Sequence, residues 1–180
     1  MKFLPAITKL ILLAIIVLVG TKLDNFAQTT SSSPAKEGGK FSIGLEAGLP
    51  AGDATNNYCT VAGGSLKYEL PTAANTYFTI SAGYSAFHTK SDLKNLGYLS
   101  AYDFFPVKAG IKYYADDGSF LEGQSGIVFR PESDGGGRLF VWAPGIGYSF
   151  GDGFEAGARY ESWSNSAAIG QIALRLSARF

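Results

Sequence analysis

A chain of 180 residues is about one domain by the usual allowance of roughly 100–200 residues per domain. Its 15 basic and 15 acidic residues cancel, which removes the electrostatic case for nucleic acid, and its single cysteine, Cys59, removes an internal disulfide framework. The 23 glycines, 10 tyrosines and 13 phenylalanines suit short strands and aromatic belts better than helices.

The amino terminus reads as a targeting segment. Lys2 and Lys9 precede an unbroken apolar run, Leu10 to Val19, of the length of a signal-peptide core. A membrane anchor needs about 20 apolar residues, and Lys9, Lys22 and Asp24 bracket the run too closely for that. We expect a signal peptide over residues 1–27, cleaved after Ala27. Residues 28–39, rich in Ser, Thr and Gly, are too polar to bury a core and read as a flexible periplasmic tether.

From residue 40 the chain repeats one theme, in which apolar and polar residues alternate with the period of a strand. Phe41 to Leu49 sets Phe41, Ile43, Leu45, Ala47 and Leu49 against Ser42, Gly44, Glu46 and Gly48. Further alternating spans run from Val61 to Leu70, Tyr77 to Phe87, Phe105 to Tyr114, Phe120 to Arg130, Leu139 to Phe150, and Phe154 to Trp163. The last runs from Ile169 to Phe180, with Ile172, Leu174, Leu176, Ala178 and Phe180 on its apolar parity. The eight spans approximate the 9–11 residues of a tilted membrane strand.

The charges decide which face is which. Glu46, Lys67, Glu69, Lys108, Lys112, Glu122, Arg130, Glu155, Arg159, Glu161, Arg175 and Arg179 all fall on the polar parity of their own span. A transmembrane barrel turns that parity into its lumen and its apolar parity toward lipid. Asp103 and Arg138 fall on the outward parity and must lie beyond the hydrocarbon, because a lipid-facing Arg at mid-membrane costs about 2–4 kcal/mol. Tyr68, Tyr77, Tyr113, Tyr148 and Trp142 are expected at the interfaces as girdles.

Connections alternate in length. Pro71 to Asn75, Ala115 to Ser119 and Gly151 to Gly153 are tight, with Asp117-Gly118 and Asp152-Gly153 as hairpin signals. Residues 50–58, 88–99, 131–137 and 164–168 form the mostly longer, more polar set, which we assign to the outside of the cell.

Val107 to Tyr114, Ala143 to Tyr148, the Gly-Asp-Gly turn, Phe154 to Glu161 and the Phe-ended final strand together resemble the small bacterial outer-membrane β-barrel domain family. The resemblance covers the chain after the tether. It implies a cell outer membrane location in a Gram-negative envelope and contact with outer-membrane lipid and lipopolysaccharide. It also implies that Leu176, Ala178 and Phe180 form a carboxy-terminal signal for the barrel-insertion machinery. The expected fold is thus an all-β, eight-stranded, antiparallel up-and-down transmembrane barrel over residues 40–180, behind its signal peptide.

Such a family is nearly silent about activity. An eight-stranded barrel is just wide enough for side chains to fill, so a diffusion pore is disfavoured and the twelve inward charges are expected to pair. The leading expectation is a non-enzymatic structural or surface-interaction protein acting through its outer loops. One alternative is a lipid-modifying enzyme, with His88 as base between Ser85 and Ser91 near the external rim. Another is a soluble barrel holding a small ligand, which needs the apolar parity inside. One histidine and one cysteine do not make a metal site, and no cofactor is expected.

Overall fold

A computed structural model describes residues 38–151, 153–164 and 168–180. The expected signal peptide, and the 28–39 tether up to residue 37, lie outside the described residues. Eight strands form the wall: β1 (Lys40–Ala51), β2 (Tyr58–Ala73), β3 (Thr76–Thr89), β4 (Ala101–Tyr114), β5 (Ser119–Arg130), β6 (Gly137–Phe150), β7 (Phe154–Ser164) and β8 (Ala168–Arg179). Each pairs antiparallel with its sequence neighbour, and β8 closes on β1. Closure leaves no unpaired sheet edge, which a strand-built membrane wall requires.

The closure is staggered. Register partners starting at Phe41 run through Tyr68, Ile80, Ala109, Ser125, Trp142, Ser162 and Gly170, and return to β1 at Ala51, ten residues farther along. Such a stagger tilts the strands against the barrel axis and sets the bore.

The facing follows the alternation. Leu45, 77% exposed, and Leu49, Ile80, Ile111, Ile146, Leu174 and Leu176 project outward, whereas Ser42, Lys67, Glu69, Thr79, Lys112 and Glu161 are buried inside. A soluble ligand-binding barrel would show the reverse. Among the described residues no helix is long and apolar enough to cross a membrane, so any crossing is made by strands.

Strand limits differ from the expected ones. β2 begins at Tyr58 and β4 at Ala101, and β2 continues through Pro71 to Ala73. Hydrophobic alternation ends where the lipid ends, but backbone pairing continues into water, so the sequence pattern stops short of the ladder. The longer connections shrink accordingly to residues 52–57, 90–100 and 131–136, which contain the short helices α1 (Ala54–Asn57) and α2 (Ser91–Asn95) and a 3-10 turn over Glu132–Asp134. The fourth lies between Ser164 and Ala168, outside the described residues.

Asp103 and Arg138 stand near the starts of β4 and β6, beside the longer connections. The Tyr84 hydroxyl donates to Asp103 Oδ1 at 2.7 Å, and the Arg138 guanidinium lies 5.7 Å from the centre of the Phe129 ring. Tyr77 is not a girdle residue. It shares the inward side with its register partner Lys112 and stacks edgewise on Tyr114 at 5.5 Å.

Candidate functional site

The lumen is the chemically distinctive part of the molecule, and it is built in layers. Toward the short-turn end, Lys67 Nζ lies 3.0 Å from Glu69 Oε1, 3.0 Å from Glu155 Oε1 and 3.3 Å from Glu122 Oε2. Lys112 Nζ meets Glu69 Oε1 at 2.9 Å and also pairs with Glu155. Arg175 and Arg179 each approach Glu155 at 3.7 Å. The Lys112 ammonium also sits 4.0 Å from the centre of the Phe120 ring, a cation over an aromatic face.

A second group lies deeper. Glu46 pairs with Arg159, and Lys108 pairs with Glu161. Arg159 Nε comes within 2.6 Å of Glu161 Oε1, although its N–H is not aligned for a hydrogen bond. Arg175 joins the two groups: Nε is 3.7 Å from Glu46 Oε1 and donates to Ser65 Oγ at 3.0 Å, while Nη1 donates to Ser177 Oγ at 2.6 Å. Glycine makes room for this guanidinium, because a Cβ on Gly44 would fall 2.7 Å from Arg175 Nε. Arg130 stands apart at the outer end of β5, where Nε donates to the Gly136 carbonyl at 3.0 Å.

Above the charges sits an aromatic layer that was not singled out from the sequence. Trp163, Phe87 and Phe104 are fully buried, with ring centres 5.0 to 5.4 Å apart, and Val61, Val128 and Val141 pack around them. Tyr58 caps the cluster, 5.2 Å from Phe87 and 5.9 Å from Tyr102. All these residues lie toward the strand ends that carry the longer connections. The signal was available: Phe87 lies on the polar parity of β3, with Thr79, Ser81 and Ser85, and Trp163 on the charge-bearing parity of β7. It is easily passed over when apolar residues are taken as lipid-facing.

Little space is left. A cavity among Phe120, Glu122, Glu155, Arg159 and Arg175 measures about 20 Å³, enough for about one water molecule. Ion pairs cross the bore in its lower half, and rings fill it above.

Among the described residues, the rim does not place Ser85, His88 and Ser91 on one face. Ser85 is buried on the lumen side of β3, whereas His88, three residues on, belongs to the opposite parity, and Ser91 is exposed at the start of α2. Cys59 is exposed, and its Sγ lies 3.4 Å from the His88 carbonyl. Among the described residues no three His, Cys, Asp or Glu side chains gather so as to hold a metal ion. On the outward face of β8, Leu176 and Phe180 are exposed, and Phe180 exchanges backbone hydrogen bonds with Phe41 at 2.8 and 3.1 Å.

No protein-family model matches the chain, and no curated protein matches its sequence. Solved structures do match. Ail, the attachment invasion locus protein of Yersinia pestis, aligns with 80% of this chain and 99% of its own at a TM-score of 0.56 and 17% identity. The N-terminal β-barrel domain of Pseudomonas aeruginosa OprF aligns with 78% of this chain and 97% of its own at 0.52 and 15%. The de novo designed barrel TMB2.3 covers 81% of this chain and 98% of its own at 0.54 and 18%. At these identities the likeness is one of fold. The architecture is that of the small eight-stranded outer-membrane β-barrel, with an apolar lipid-facing wall.

Proposed function

We propose that this eight-stranded outer-membrane-type barrel is a non-enzymatic membrane-anchored protein that acts through its longer connections, presenting them to a surface partner or to neighbouring lipopolysaccharide. One observation carries the reading. The connection between β3 and β4 holds Leu96, Tyr98 and Leu99 exposed, Leu96 at 75%, beside the charged side chains of Lys90, Asp92 and Lys94. A cluster of apolar side chains left in the open beyond the strands is a contact surface looking for a partner. The filled lumen supports the same reading, because it leaves the outer ends as the accessible chemistry. Within this proposal the inward charges have a structural role, and Leu176, Ala178 and Phe180 serve insertion.

The test replaces residues 91–99 by a short Gly/Ser link in the full chain and follows adhesion, surface hydrophobicity and detergent sensitivity of expressing cells. The expected result is loss of at least one of these with the heat-dependent gel shift of a closed barrel intact. A normally folded variant that leaves all three unchanged overturns the loop role.

A further inference from the structure

The lipid-facing wall is not uniformly ridged. On β7 the outward residues Ala156 and Ala158 are small, while their register partners are bulky: Tyr148 and Ile146 on β6, Leu176 and Leu174 on β8. Two ridges therefore flank a floor of methyl groups, and this furrow lies within an open apolar depression of about 880 Å³ that extends to Leu45 on β1 and Leu121 on β5. Phe154 bounds it at one end and Tyr160 at the other, with Trp142 packed edgewise on Tyr160 at 5.7 Å. Those ends are six residues apart, roughly 20 Å along a strand, or about 15 Å along the membrane normal at a usual barrel tilt. That is half of a hydrocarbon core of about 30 Å, the depth of one leaflet.

At the short-turn rim the depression continues past Tyr148, the register partner of Ser119, to the β4–β5 turn, where Ala115 and Ser119 contribute to its lining. Between them stands Asp116, fully solvent-exposed, whose Oδ1 accepts the Ser119 N–H at 2.6 Å and the Gly118 N–H at 2.9 Å. These amides occupy one carboxylate oxygen and hold the carboxyl below its usual range, so the group is an anion at neutral pH. Asp117 adds a second carboxyl at the same turn. Here an apolar slot one leaflet deep ends at fixed negative charge. A lipid with an anionic headgroup is repelled at that mouth, whereas one carrying an ammonium is attracted.

We infer that the β6–β8 furrow is a lipid site, which seats one acyl chain of an amine-headed glycerophospholipid from the leaflet at the short-turn rim, with the headgroup ammonium at Asp116. The inference rests on the membrane-spanning reading of the wall and is separate from any role of the outer loops. It predicts a lipid held longer than the surrounding shell and chosen by headgroup.

The test places the full barrel in phosphatidylcholine nanodiscs doped with chain-spin-labelled phosphatidylethanolamine or phosphatidylglycerol and measures the motionally restricted fraction of the spectrum. The expected result is a several-fold larger strongly restricted component for phosphatidylethanolamine. Ala158→Phe, or the milder Ala156→Leu, fills the slot and removes this excess. Asp116→Asn keeps the turn's hydrogen-bond acceptor and removes the headgroup preference alone. Equal restricted fractions for the two lipids, or an excess unchanged by filling the slot, overturns the site. Heat-dependent gel mobility and quenching of Trp142 by brominated lipid, read on the same samples, separate that outcome from a failure of the membrane-spanning reading.

Discussion

Trp163 and Glu161 lie two residues apart on the same face of β7, and the indole Nε1 donates to Glu161 Oε2 at 2.8 Å. This bond joins the aromatic layer to the ionic one. The same oxygen accepts from Gln171 Nε2 at 2.8 Å, while Oε1 faces Lys108 and Arg159. One carboxylate therefore anchors β4, β7 and β8 from inside.

Glu161→Gln should be among the most damaging single changes. It leaves Lys108 and Arg159 with one anion fewer in a water-poor interior, and breaking a buried pair in this way costs about 3–5 kcal/mol. Urea unfolding in lipid vesicles measures the loss. A change below 1 kcal/mol would mean that water reaches the lumen freely and screens the charges.

The two tryptophans should report opposite environments. Trp142 is 47% exposed on the lipid face, whereas Trp163 is completely buried in the lumen. In vesicles of brominated lipid, Trp142→Phe should abolish most of the quenching and Trp163→Phe should leave it nearly intact. Strong quenching retained in Trp142→Phe would contradict the facing of β7.

Gly147 gives the Phe120 ring its place. A Cβ there would lie 2.2 Å from Phe120 Cζ and 2.6 Å from the Ala156 carbonyl oxygen. Gly147→Ala should cost about 1–3 kcal/mol through overpacking, read by the same unfolding experiment. Phe120→Leu in that background should recover only part of the loss, because the backbone contact remains.

Asp116 predicts a local pH effect. Its carboxyl is held below the usual range by the amides of Ser119 and Gly118, so in the folded chain it binds a proton less readily than in the unfolded one. The stabilisation is therefore present above the unfolded value of about 3.9 and is lost as pH falls through the lower, folded value. Amide exchange at Gly118 and Ser119 should accelerate, relative to the intrinsic rate, below about pH 4 in the native protein. Asp116→Asn should remove that pH dependence.

Much of this architecture was legible because the lumen charges and the outward aliphatics occupy opposite parities. Glu155, Arg159 and Glu161 alternate with Ala156, Ala158 and Tyr160, and no solvated sheet face needs that arrangement over eight spans. Strand ends were less legible. Ala101 to Phe104 and Pro71 to Ala73 pair by backbone bonds that leave no mark on side-chain pattern. Tyr77 misled because an aromatic near a strand end reads as a girdle residue, although its parity is that of Thr79 and Ser81. The aromatic layer escaped notice for a related reason: Phe87, Phe104 and Trp163 are apolar residues on the polar face, and only the closed bore brings them together. The furrow was invisible in any one strand, because it arises from the register of Ala156 and Ala158 against their neighbours.

The long reach of the lumen pairs bears on how the barrel comes into being. Glu46 on the first strand meets Arg159 on the seventh, and Lys67 on the second meets Glu155 on the seventh. Neither pair can form across an open sheet, so each is completed only when the wall closes, whereas Lys67 and Arg159 already have Glu69 and Glu161 on their own strands. Zippering β8 to β1 and completing these cross-bore pairs are therefore one event.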